Sequence, residues 1–91
     1  MSPQTVPALR PGWRLQWEEV QGRHVLLYPE GMVQLNESAG AILALIDGQR
    51  RQADIVAMLE ARFPEASGIG DDVAEFLDEA QRQGWLVAVT P

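Results

Sequence analysis

The one histidine of the 91-residue chain is His24, and cysteine is absent. Thiolate metal sites, iron–sulfur ligation, disulfides and cysteine nucleophiles are therefore excluded, and a metal at His24 would need carboxylates for its remaining ligands. His24 also falls inside a predicted strand, where a structural or surface role is the simpler reading. Ser38 and Ser67 are the candidate hydroxyl nucleophiles of the folded region. Neither lies in a Gly-x-Ser-x-Gly elbow and no second histidine stands ready to take a proton, so triad chemistry has little support. Asp71, Asp72, Glu75, Asp78 and Glu79 form an acidic run that could imitate paired catalytic carboxylates or a hard-metal site. Their spacing is not that of an EF-hand loop, and on a helix Asp71, Glu75 and Asp78 fall opposite Val73, Phe76, Leu77 and Ala80, as a solvated face does. Gly68-x-Gly70 lacks the remainder of either phosphate-loop fingerprint. Trp13, Trp17 and Trp85 could stack nucleic-acid bases only beside a positive groove. The pattern points away from catalysis and toward binding, with no metal or other cofactor expected.

Charge narrows the partner. Thirteen acidic residues against seven basic ones give a formal net charge of -6. Apart from Arg50-Arg51 the basic residues are scattered, so no stripe is present to release counterions from a phosphate backbone, and nucleic acid is an unfavourable partner. No apolar run reaches the roughly 18–20 residues needed to span a bilayer, and Met1-Ser-Pro-Gln-Thr-Val-Pro7 has neither a basic region nor an apolar signal core. No membrane association is expected, and the default setting is the cytoplasm. Hydrophobic residues at 46% and charged residues at 22% are ordinary for one small globular domain.

These residues must be positioned by few elements. Pro3, Pro7 and Pro11 mark residues 1–12 as an extended N-terminal arm that need not be ordered, leading into a single domain over 13–91. Trp13-Arg-Leu-Gln-Trp17 alternates apolar and polar residues as a half-buried strand does, with Trp13, Leu15 and Trp17 on one face. Gln21-Gly22 signals a turn into a second strand, His24–Tyr28. Tyr28-Pro-Glu-Gly31 is another turn, with φ preset at Pro29 and Gly31 closing it, and Met32–Leu35 completes an antiparallel meander. Asn36 is a good N-cap for a first helix carrying Ala39, Ile42, Leu43 and Ile46 on one stripe and stopping at Asp47-Gly48. Gly40 inside it implies close backbone packing. A second helix runs from about Gln52 to Phe63, with Ile55, Val56, Leu59 and Phe63 inward and Pro64 ending it. Asp71-Asp72 opens a third helix, where Asp72 and Glu75 have capping-box spacing and Gly84 provides the stop. Trp85–Val89 is a short extended tail. The fold class is α+β: a three-stranded meander, three helices and a tail.

A three-stranded meander leaves an outer strand with unpaired backbone groups, normally blunted by lysine, proline or a covering element. Met32-Val-Gln-Leu35 carries no charge, so it can accept an added strand from a partner peptide. The alternative is that the chain's own arm or tail covers this edge.

The segment His24–Gly48, with Leu-Tyr-Pro-Glu-Gly, then Leu-Asn-x-Ser-Ala, then Asp-Gly, resembles the pyrroloquinoline quinone biosynthesis protein D family, PqqD. Arg10–Trp17, Asp72–Leu77 and Gly84-Trp-Leu86 extend the likeness over nearly the whole chain. The resemblance implies a winged-helix-like domain that recognises the ribosomally made precursor peptide PqqA and presents it to PqqE, a radical S-adenosylmethionine enzyme that joins a glutamate to a tyrosine. It further implies a site between the third strand, Gly31, Met32, Val33, Gln34 and Leu35, and the third helix, Asp72 to Ala80, where Val73, Phe76 and Leu77 either wall an apolar cleft or belong wholly to the core. Two departures stand out: Arg51-Gln52-Ala53 replaces a threonine or serine helix cap, and Ile46 stands where cysteine is common. A winged-helix nucleic-acid-binding or general protein-interaction domain is the competing use of such a fold, and the charge of -6 counts against the first.

Overall fold

In the computed structural model, which describes residues 1–89, the alternating and apolar runs form five strands and three helices. In chain order these are β1 (Val6–Leu9), β2 (Arg14–Glu18), β3 (Arg23–Tyr28), β4 (Gly31–Gln34), α1 (Glu37–Ala44), α2 (Gln52–Arg62), α3 (Ile69–Arg82) and β5 (Leu86–Val89). The α+β arrangement of meander, helices and extended tail is the one expected; the last two residues of the expected domain lie outside the described ones.

β2, β3 and β4 form an antiparallel sheet in that order, with Leu15 opposite Leu26 and Leu26 opposite Val33. This row faces the helices, and Leu26 and Leu35 join Ile42, Leu43, Ile55, Leu59, Val73, Leu77 and Leu86 in one core. The β2–β3 loop closes with Gly22 at φ +65° and its N–H donating to the Glu18 carbonyl at 2.8 Å. The tight turn at Pro29-Glu30 has no positive φ, and Gly31 has none either. Gly31 is instead favoured by close approach: a Cβ there would stand 3.2 Å from the Tyr28 hydroxyl, a tight contact. The Tyr28 ring is in turn stacked on Trp13 at 4.7 Å.

The N-terminal segment departs from the reading as a loose arm. β1 pairs antiparallel with β5, Val6 opposite Val89 and Leu9 opposite Leu86, in a sheet of two strands separate from the meander. Pro7 does not prevent this pairing, because a strand with one neighbour tolerates a residue that has no N–H to give. Ahead of β1, the carbonyls of Thr5 and Pro3 accept from the Gln52 and Ala53 N–H groups at 2.8 and 2.9 Å. Those are free donors of the first turn of α2, so the distant arm satisfies what a serine or threonine cap would have begun to satisfy. Asp54 adds to this by accepting from the Arg51 N–H at 2.9 Å.

Helix limits shift where side chains compete with the backbone. Asn36 caps α1 as expected, its Oδ1 accepting from Ala39 N–H at 2.8 Å. Ile46, however, lies beyond the helix: the Leu45 and Ile46 N–H groups turn back to Ile42 and Leu43, and Asp47 Oδ1 accepts from the Gln49 and Arg50 N–H groups. An aspartate offering such bonds draws the chain out of helix. Phe63, expected inward, is exposed after the end of α2. α3 starts at Ile69 with Gly68 as its N-cap at φ +76°. Asp72 N–H already donates to the Gly68 carbonyl, so Asp72 sits within the helix and heads no capping box.

Candidate functional site

β4 has a neighbour on one side only. Among the described residues no strand pairs with its outer edge, because the arm and tail that could have covered it pair with each other. Its residues carry no charge, and Gly31, Met32 and Gln34 are exposed, Met32 at 55%, while Val33 is half-buried on the core side. Leu35, expected in the strand, lies just past its end and is buried in the core. Four residues of extended backbone with unused hydrogen-bonding groups can take up a peptide strand without any side-chain chemistry.

The helix expected to wall the cleft divides. Val73, Leu77 and Ala80 are enclosed, at 1%, 0% and 2% exposure, and cannot touch a ligand as the chain stands. They correct the expectation of an apolar cleft: the stripe is there, but it closes the core, with α3 packed chiefly on α2 and β5. Asp72 is exposed and Phe76 half-buried, its ring edge-to-face with Trp85 at 6.5 Å. The accessible set is thus Gly31, Met32, Val33 and Gln34 with Asp72 and Phe76.

The titratable groups serve the scaffold. Backbone N–H groups of Arg50 and Gln49 hold the Asp47 carboxyl below its ordinary range. The Arg51 side chain does the same for Asp54, and Gln83 with Arg82 for Glu79. Among the described residues no three His, Asp or Glu side chains group as metal ligands would. His24 packs between Gly40 and Trp17, its ring 5.0 Å from the indole. Among the described residues no helix is long and apolar enough to cross a membrane.

A family model described as coenzyme PQQ synthesis protein D (PqqD) matches residues 23–86. A PqqA binding protein of Kluyvera intermedia is 55% identical over 91 residues, covering 100% of this chain and 99% of its own. One from Azotobacter vinelandii is 58% identical over 81 residues, 89% of this chain and 88% of that protein. The solution structure of the PqqD part of Methylobacterium extorquens PqqCD, described as a stand-alone recognition element for ribosomally synthesized and modified peptides, aligns with a TM-score of 0.79 at 32% identity, covering 94% of this chain and 93% of that one. The crystal structure of PqqD from Xanthomonas campestris aligns at 0.53 with 36% identity, covering 91% and 93%.

Proposed function

Because the chain belongs to the coenzyme PQQ synthesis protein D (PqqD) family, we propose that it binds the precursor peptide PqqA by taking it as an added strand on β4 and presents it, in the cytoplasm, to the radical S-adenosylmethionine enzyme PqqE. The role is one of binding without catalysis. The observation that supports strand addition is the uncharged edge of Gly31–Gln34, unpaired among the described residues. Backbone bonds along that edge provide affinity, and selectivity falls to Met32 and Val33 of the strand together with Asp72 and Phe76, the accessible members of the α3 set. Val73, Leu77 and Ala80 act behind them, fixing the position of α3 through the core. A contact of this size lies at the low end of protein interfaces, as suits a peptide that must be handed on.

An amide-shift titration of the labelled chain with PqqA peptide tests this. Saturable shifts in residues 31–35, with slowed exchange of β4 amides, are expected. Saturable binding that leaves residues 31–35 unmoved would remove the edge from the site.

A further inference from the structure

We propose that the Tyr28 hydroxyl selects the peptide added to β4, by hydrogen-bonding a short polar side chain, that of a serine, threonine, asparagine or aspartate, on the residue that comes to lie opposite Gly31. This rests on strand addition at β4 and goes beyond it, because it names the side-chain class preferred at one position of the edge. Tyr28 is the last residue of β3 and stands opposite Gly31 across the tight turn. Leu26 and Val33 are the opposed pair two residues further along, and their row faces the helices. Tyr28, Gly31 and Val33 therefore share the core-side face of the sheet.

The Tyr28 ring is held on one side and leans toward the edge on the other. It is stacked on Trp13 with an interplanar angle of 18°, and Trp13 in turn packs against the core. Its hydroxyl end lies over Gly31: the Cβ that glycine lacks would stand 3.2 Å from Oη and 3.4 Å from Cζ, nearer than the 3.8 Å to Cε1. Gly31 thus puts no side chain of its own between the hydroxyl and an incoming strand. A half-buried tyrosine ordinarily gives its hydroxyl a partner, yet this one has no hydrogen bond to any described residue. Gln52 Oε1 alone is buried without a partner among the described residues, so the Tyr28 hydroxyl is open to solvent and to a ligand.

Strand geometry sets the length of the side chain that meets it. Opposed Cβ atoms on one face of a sheet are roughly 4.5–5.5 Å apart. The hydroxyl spans part of that interval from the β4 side, so a polar atom carried on the incoming Cβ, or one atom beyond it, comes within hydrogen-bond reach. The polar ends of lysine, glutamine and glutamate pass beyond it. Backbone groups of the incoming strand are engaged with the β4 edge in the plane of the sheet, which leaves the hydroxyl, off that plane, to the side chain. A phenol both donates and accepts, so all four short residues fit. An apolar residue at this position would take water from the hydroxyl and return nothing, and that loss is what makes the position selective. Val33, two residues along the same face, offers an apolar surface instead. The preferred pattern is therefore an apolar residue opposite Val33 with a short polar one two positions away.

Tyr28→Phe keeps the ring and its stack on Trp13 and removes only the oxygen. Titration of the labelled full chain and of this variant with PqqA peptide should give shifts in residues 31–35 for both, with binding to the variant weaker by about fivefold, the usual worth of one hydrogen bond. Alanine replacement of each serine, threonine, asparagine and aspartate of the peptide in turn completes a set of double-mutant cycles. One replacement should weaken binding to the unaltered chain about fivefold and leave binding to Tyr28→Phe nearly unchanged, a coupling that a merely structural tyrosine would not show. Equal affinity of the two chains, or a loss in Tyr28→Phe that couples to none of the replacements, overturns the assignment and leaves strand addition standing, because residues 31–35 still shift. Saturable binding with residues 31–35 unmoved removes both.

Discussion

Gly40 and His24 form a pair whose energetics run against helix propensity. Placing alanine at an exposed helix interior position gains about 0.5–1 kcal/mol over glycine. At position 40 the added methyl would stand 2.9 Å from His24 Nδ1, with the imidazole itself confined by Trp17. Gly40→Ala is expected to lower stability by about 1–2 kcal/mol, the usual cost of overpacking. In a His24→Ala background the same change should become stabilising, and denaturant unfolding of the two pairs of variants measures the coupling. A loss of equal size in both backgrounds would show that the ring is not the obstacle. The spacing of Val73, Leu77 and Ala80 was legible as an apolar stripe, but periodicity identifies which face is apolar and not what covers it. Only the packed chain distinguishes a cleft wall from a core.

At the scale of elements, the N-terminal segment acts as a strap across the helical half. Its carbonyls cap α2 through Gln52 and Ala53, its Gln4 side chain accepts from Arg51 Nη1 at 2.9 Å, and β1 completes a sheet with β5. Removing residues 2–5 takes away the two caps and should cost about 1–2 kcal/mol, in the range of a lost helix cap. Hydrogen exchange locates the effect: the Gln52 and Ala53 amides should exchange faster while those of β3 stay protected. Unchanged exchange at 52 and 53 would mean that the strap carries no weight. Asn36 was readable as a cap because its partner, Ala39, is three residues away. The caps of α2 were not, because they come from the far end of the chain, and Arg51-Gln52-Ala53 by itself reads as an uncapped start.

For the whole molecule, Asp47, Asp54 and Glu79 share one sign of pH dependence. Each carboxyl is held below its ordinary range, so the folded chain binds fewer protons than the unfolded one. Their contribution is complete above that range and is lost as pH falls below about 4. Because all three are exposed, the acid limb they produce is shallow. Melting temperature followed against pH should be flat through neutrality and fall on acidification, and Asp47→Asn, Asp54→Asn and Glu79→Gln together should reduce that fall. An acid limb as steep in the triple variant would assign it to other groups. What the amino-acid sequence determined alone was whatever rests on near neighbours: the meander, the approximate helices, the Asn36 cap, the uncharged third strand and the lack of residues grouped for catalysis. Tertiary structure decided the rest, that arm and tail pair with each other, that among the described residues the β4 edge is left open and that the stripe of α3 closes the core. Such pairings join distant parts of the chain, and their free energy depends on which surfaces remain once every other element has packed, a quantity no local pattern contains.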